Sequence, residues 1–113
     1  MKAQQQILQL LGIARRADKI VSGEAQVIRQ LPQRKLKLVF LATDATPTAA
    51  KKINDKCQFY QVIVDQSFKR NELSQAIGMA RSVVALTDEG FTRKILSLLK
   101  NNQENRSTRE NGE

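Results

Sequence analysis

The apolar positions of this chain fall into two rhythms that alternate from one end to the other. Ile7, Leu10, Leu11 and Ala14 recur at helical spacing in a segment from about Ala3 to Arg16, which predicts a first amphipathic helix. Ile20-Val21 is long enough only for a very short strand, and Gly23 then opens a second helix. Its apolar face is Val27, Ile28 and Leu31, with Pro32 near its end. The run "KLKLVFLA", Lys35 to Ala42, is almost continuously apolar with β-branched and aromatic members, the pattern of a central strand covered on both faces. Thr46-Pro47 sets a capping hydroxyl before a proline in the first turn and so starts a third helix. That helix puts Ala50, Ile53 and Cys57 on one side and Lys51, Lys52 and Lys56 on others. "YQVIV", Tyr60 to Val64, predicts another short strand. Asn71 is the expected cap of a helix carrying Leu73, Ala76 and Ile77, and Gly78 closes it. "SVVALT" is a further strand, and Thr87 or Asp88 starts a last helix with Phe91, Ile95, Leu98 and Leu99 inward.

The order α-β-α-β-α-β-α-β-α predicts an α/β fold, a three-layer α-β-α sandwich around a small, mostly central four-stranded mixed sheet. No internal repeat and no linker interrupts it before residue 100, so residues 1–100 read as one domain. A chain of 113 residues can bury such a core without disulfides or metals. Residues 101–113, "NNQENRSTRENGE", are polar and without periodicity, and a disordered tail is expected there.

Charge narrows the partners. The net charge is +8, and the last thirteen residues hold Arg106 and Arg109 against Glu104, Glu110 and Glu113, a net of −1, which leaves +9 on residues 1–100. The folded part is thus the basic part, and it calls for an anionic partner. No helix pairs a dense Lys/Arg face with a strongly apolar one, so a membrane surface is a poor fit. No apolar run approaches the ~20 residues that span a bilayer, and no signal peptide is evident. Cys57 is alone, so no intramolecular disulfide can form. It sits on the apolar stripe of its helix and reads as a buried structural thiol. A reducing cytoplasm is the expected location.

The chain has no histidine, which removes the commonest general base and the commonest zinc ligand. Hydrolase triads that use histidine are excluded, and one cysteine makes no zinc site. Residues 1–100 hold no carboxylate pair at helical spacing, and the chain has no GxGxxG and no P-loop lysine motif. The expectation is a protein that is not an enzyme and uses no metal and no cofactor. Aromatic residues make up 4%, mostly in strand or helix-core patterns, which argues against a stacking platform for single-stranded bases.

The candidate chemistry gathers around Gly23. A strand turning through glycine into a helix leaves backbone N–H groups unpaired at the helix start, where they favour phosphates and acceptor-rich edges. Taken alone, Gly23 reads first as a turn residue. Gln26, Arg29, Gln30 and Gln33 follow at i, i+3, i+4 and i+7. Such a stripe is either a solvated face or a set of planar donors and acceptors suited to bases and phosphates. Asp44 directly follows the central strand, and Met79, Ala80 and Arg81 form the loop before "SVVAL". Loops at the carboxyl ends of parallel strands share a crevice, which would bring these residues to one end.

Three stretches in register, "LLGIARRADKIVSGEAQVIRQL", "KLKLVFLATDATPTAAKKINDKC" and "ELSQAIGMARSVVALTDEGF", resemble the kink-turn-binding ribosomal-protein superfamily of the L-seven-Ae and L-thirty-e types. Within it, the likeness is to a small bacterial YlxQ-like branch, and it covers about residues 3 to 100. The resemblance implies the same sandwich fold and binding of RNA kink-turns, sharply bent duplexes with tandem sheared G·A pairs. It therefore implies structured RNA as partner, ribosomal RNA among the options, with neither DNA nor membrane. The family G-x-N-E motif matches Gly23-Glu24-Ala25-Gln26. Arg29 matches a family lysine that meets RNA, and Asp44 matches an acidic RNA-contacting residue. The loop Met79-Ala80-Arg81-Ser82-Val83 matches a segment packing against an extruded nucleotide.

Two positions depart from the family. Ala25 stands for asparagine and cannot hydrogen-bond a base edge. Gln26 stands for glutamate and keeps an acceptor without the charge that strengthens such bonds about twofold. A weakened or altered kink-turn preference is expected, with RNA binding kept. Arg29 retains its charge in a planar fork. The alternative is a protein-interaction adaptor of the same fold, which Ala25 favours and the basic domain disfavours. Which RNA is bound and the oligomeric state are not legible in the sequence.

Overall fold

The computed structural model describes residues 2–111, with side-chain surroundings for residues 2–101. Its elements are α1 (Ala3–Arg16), β1 (Ile20–Ser22), α2 (Glu24–Gln30), β2 (Leu38–Leu41), α3 (Pro47–Phe59), β3 (Ile63–Asp65), α4 (Arg70–Ile77), β4 (Val83–Leu86) and α5 (Glu89–Asn111). The four strands form one sheet in the order β1-β4-β2-β3. β2 and β3 run parallel, and β4 is antiparallel to both β1 and β2.

The strand pattern dictates the layers. β2 and β4 occupy the centre and are buried at every position, as their unbroken apolar runs require. Because successive side chains point to opposite faces, Leu38 and Phe40 of β2 join Val84 and Leu86 of β4 in one core, with Ile7, Leu11, Leu73, Ile77 and Ile95 from α1, α4 and α5. Val39, Leu41, Val83 and Ala85 face the other way and pack on Val27 of α2 and on Ile53 and Cys57 of α3. The result is the expected three-layer sandwich, with two helices over one face and three over the other.

Helix ends follow local chemistry with two corrections. The Thr46 hydroxyl accepts a hydrogen bond from the Ala49 N–H at 3.2 Å, ahead of Pro47. Asp88 is the residue that starts α5, its carboxylate accepting from the Phe91 N–H at 2.9 Å. The cap of α4, in contrast, is Lys69 and not Asn71. The strand expected at Tyr60 begins later, at Ile63. Tyr60 is the C-cap of α3, and Gln61 turns the chain with φ of 59°. Phe59 is accordingly 75% exposed and not part of the core.

α2 is also shorter than the polar stripe suggests. It ends at Gln30 and a 3₁₀ turn, Leu31–Gln33, follows, so Gln33 lies past the helix. The backbone of α5 reaches Asn111, and the polar tail expected for residues 101–113 falls almost wholly outside the described side chains. Among the described residues, no helix is long and apolar enough to cross a membrane.

Candidate functional site

Four segments meet at one end of the sheet because β4 is antiparallel to its neighbours. Its first residues therefore lie beside the last residues of β1 and β2. The Gly23 N–H donates to the Val83 carbonyl at 2.9 Å, and the Ala42 N–H donates to the Ser82 carbonyl at 2.8 Å. The Thr43 N–H donates to the Phe68 carbonyl at 2.9 Å and adds the approach to α4. The parallel-strand crevice expected from the sequence thus forms in a mixed sheet. Both parallel strands end here, β2 leading to Asp44 and β3 to Phe68 and Arg70, whereas the loop before β4 arrives from the opposite direction.

Gly23 adopts φ of 97° and ψ of 141° at the N-cap of α2, a region that side chains rarely occupy. Here the glycine is required by the backbone. Space does not exclude a side chain, since a Cβ there would stand at ordinary contact, 3.6 Å from Arg81 Nε and 3.8 Å from Arg81 Cδ. Arg81 thus lies beside the side-chain-free Gly23.

The Arg81 loop is held rigidly. The Ser74 hydroxyl on α4 accepts from the Arg81 N–H at 3.0 Å and donates to the Arg81 carbonyl at 3.2 Å. The guanidinium folds back, with one terminal nitrogen donating to the Ala80 carbonyl at 2.9 Å and the other 3.9 Å from the Met79 sulfur.

Asp44 is brought to the same end but is not idle there. Its carboxylate accepts from the Arg70 backbone N–H at 2.8 Å, one of the unpaired donors at the start of α4. The Arg70 side chain, in turn, donates through Nε to the Ser82 hydroxyl at 3.1 Å. Sequence reasoning missed Arg70. The available signal was Phe68, Glu72 and Leu73: an apolar residue before the cap, an acid at the third helical position and an apolar residue at the fourth. The Glu72 carboxylate does accept from the Lys69 N–H at 2.8 Å, and Phe68 and Leu73 share a core.

Of the other expected residues, Ala25, Gln26, Arg29 and Ala80 are exposed, while Glu24, Met79 and Arg81 are half-buried. Glu24 Oε1 stands 3.5 Å from Lys52 Nζ of α3. A shallow cleft of about 280 Å³ runs between Gly23, Thr46, Arg70, Arg81 and Ser82. This end therefore carries Arg29, Arg70 and Arg81 around two carboxylates, Glu24 and Asp44, each already engaged. It is open and holds more positive than negative groups. No histidine or acidic cluster among the described residues forms a metal site.

The model of the family described as "Ribosomal protein L7Ae/L30e/S12e/Gadd45" matches residues 5–96. The chain is 48% identical over 91 residues to the RNA-binding protein YlxQ of Bacillus subtilis (strain 168), covering 80% of this chain and 91% of that one. It is 36% identical over 96 residues to the RNA-binding protein YlxQ of Enterococcus faecium, covering 85% and 93%. Among solved structures, a Bacillus halodurans protein of unknown function superposes with a TM-score of 0.79 at 39% identity, over 83% of this chain and 96% of that one. The Giardia lamblia 15.5kD RNA binding protein superposes with a TM-score of 0.75 at 17% identity, over 88% and 86%, a likeness of fold. With its sandwich fold and a match spanning most of the domain, this chain belongs to the L7Ae/L30e/S12e/Gadd45 ribosomal protein family and is similar to its YlxQ members.

Proposed function

We propose that this protein binds structured RNA at the end of the sheet built from Gly23, Glu24, Ala25, Gln26, Arg29, Asp44, Met79, Ala80 and Arg81. The observation that carries the reading is the placement of Arg81 beside the side-chain-free Gly23, its Nε 3.6 Å from where a Cβ would be. A flat, positively charged group beside bare backbone suits a nucleotide, which offers a phosphate to one and a face or edge to the other. Arg29 and Gln26, both exposed on α2, extend that surface with a second guanidinium and a neutral amide. The names of the YlxQ relatives and the net charge of +8 support the same partner.

The target is a sharply bent RNA of the kink-turn kind. Ala25 supplies no hydrogen bond and Gln26 supplies an uncharged one, so the preference for the bend is modest. The protein associates with ribosomes through such an element, and cosedimentation with ribosomal particles at low salt, reversed at high salt, tests that association.

Fluorescence anisotropy with two RNAs tests the binding itself. One carries tandem sheared G·A pairs, and the other has them replaced by Watson–Crick pairs. The bent RNA should bind more tightly, and Arg81→Ala or Arg29→Ala should each weaken it roughly tenfold, the size of one charged hydrogen bond. Equal affinity for both RNAs rejects the kink-turn preference. Unchanged binding by both variants rejects the surface.

A further inference from the structure

A second feature adjoins the cleft and lies on a different pair of helices. Between α2 and α3 runs a groove of about 680 Å³, lined by Glu24, Ala25, Ile28, Arg29, Lys52 and Lys56. Glu24 lines both this groove and the cleft beside Gly23, so the two are neighbours across its side chain. Ala49 of the cleft and Lys52 and Lys56 of the groove follow at i, i+3 and i+7 along α3 and share one helix face. Two of its lining residues, Ala25 and Ile28, carry no charge, and the others are three cations and one carboxylate. Lys52 Nζ and Glu24 Oε1 are 3.5 Å apart, with side chains 54% and 37% exposed, a solvated pair that gives way at little cost. Lys56 makes no ion pair among the described residues, whereas neighbouring Lys51 is taken by Asp55 at 2.7 Å.

We infer that this groove carries the phosphate backbone of an RNA strand leading away from the segment held at the Gly23 end. The charge pattern identifies the occupant. A protein helix would want an apolar trough, and an acidic peptide would want paired sites, but a strand of regularly spaced phosphates matches cations set along a helix. Lys52 and Lys56 lie one turn apart, ~6 Å along α3, comparable to the step between successive phosphates of an A-form strand. The lysines act as point charges on flexible stems and hold the backbone without reading sequence. The inference rests on the RNA reading above and lengthens its footprint. The end surface selects the bend, and the α2–α3 groove grips the arm that leaves it.

The test compares two RNAs, the bent motif with minimal arms and the same motif with one arm lengthened, against wild type and a Lys52→Gln/Lys56→Gln double variant. Both lysines are exposed on a helix surface, so folding is preserved. Arg93→Gln/Lys94→Gln on α5, over the opposite face of the sheet, controls for lost net charge. Wild type should bind the lengthened RNA more tightly than the minimal one. The groove variant should lose that gain, with its slope of log affinity against log salt falling by about two, near one per phosphate contact, while the minimal RNA and the α5 control stay at wild-type affinity. An unchanged slope on the lengthened RNA, or an equal loss on both RNAs, overturns the groove. Failure of wild type to bind either RNA overturns the end surface as well, so the two readings fail with different signatures.

Discussion

Asp44 and the backbone N–H of Arg70, 26 residues apart in sequence, meet at 2.8 Å, so a carboxylate after the central strand caps a helix that begins much later. The same Arg70 reaches Ser82 Oγ through its side chain at 3.1 Å. One residue thereby ties the ends of β2, α4 and β4 together.

Removing that carboxylate should be felt in stability whatever it does for ligand. Asp44→Ala leaves the α4 donor without its protein acceptor, and a loss of about 1–2 kcal/mol is expected in chemical denaturation. Asp44→Asn keeps an acceptor oxygen and should recover part of the loss. Equal stability of all three proteins would show that the cap contributes nothing.

Gly23 and Gly12 should both resist alanine, for different reasons. At Gly23 the obstacle is the backbone, φ of 97° with ordinary space around it, which costs about 1–3 kcal/mol for a side chain held there. At Gly12 the obstacle is contact, since a Cβ would sit 2.8 Å from the Ala76 carbonyl oxygen of α4. Gly12→Ala must push α1 from α4 and should cost about 1–3 kcal/mol as overpacking. Thermal melts of the two variants check both values, and a Gly12→Ala protein as stable as wild type would mean the helices shift freely.

Burial pushes the Cys57 thiol up to about 11. The sign follows from the thiolate being disfavoured in the fold. Below about pH 9 both folded and unfolded chains keep the proton and the fold is fully stable. Between about 9 and 11 the unfolded chain alone loses the proton, and stability falls. Lysines titrate in the same range, so the readout is a difference. The stability gap between wild type and Cys57→Ala should narrow as pH rises from 8 to 11, and a constant gap would contradict the burial account. The native thiol should also be inert to a thiol-specific reagent at neutral pH.

What the sequence made legible is what local chemistry controls. The apolar run Leu38 to Leu41 is a central strand because nothing polar interrupts it, and Thr46-Pro47 starts α3 because both residues satisfy the first turn on their own. Gly23 reads as the opening of α2 for the same reason. The failures are non-local or ambiguous. Asn71 is a good cap by type, but Lys69 is the cap and Asp44 reaches in from the turn after β2 to accept from the Arg70 N–H, which no window around Asn71 contains. Tyr60 to Val64 looks like a strand by composition, yet α3 continues through Phe59 and the left-handed Gln61 must turn the chain before pairing starts. Gathering of Gly23, Asp44 and Arg81 was anticipated, but the antiparallel β4 that achieves it was not. Arg70 went unnoticed because its importance lies in contacts to residues 26 and 12 positions away.

The central claim is that the end of the sheet around Gly23 and Arg81 is the RNA surface. Backbone amide shift mapping during titration with a kink-turn RNA tests it most directly. The account predicts perturbations concentrated on Gly23–Arg29, Asp44–Thr46, Arg70 and Met79–Val83, with α1 and α5 unaffected. Perturbations centred on α1 and α5, or none at an RNA concentration that saturates binding, would contradict it.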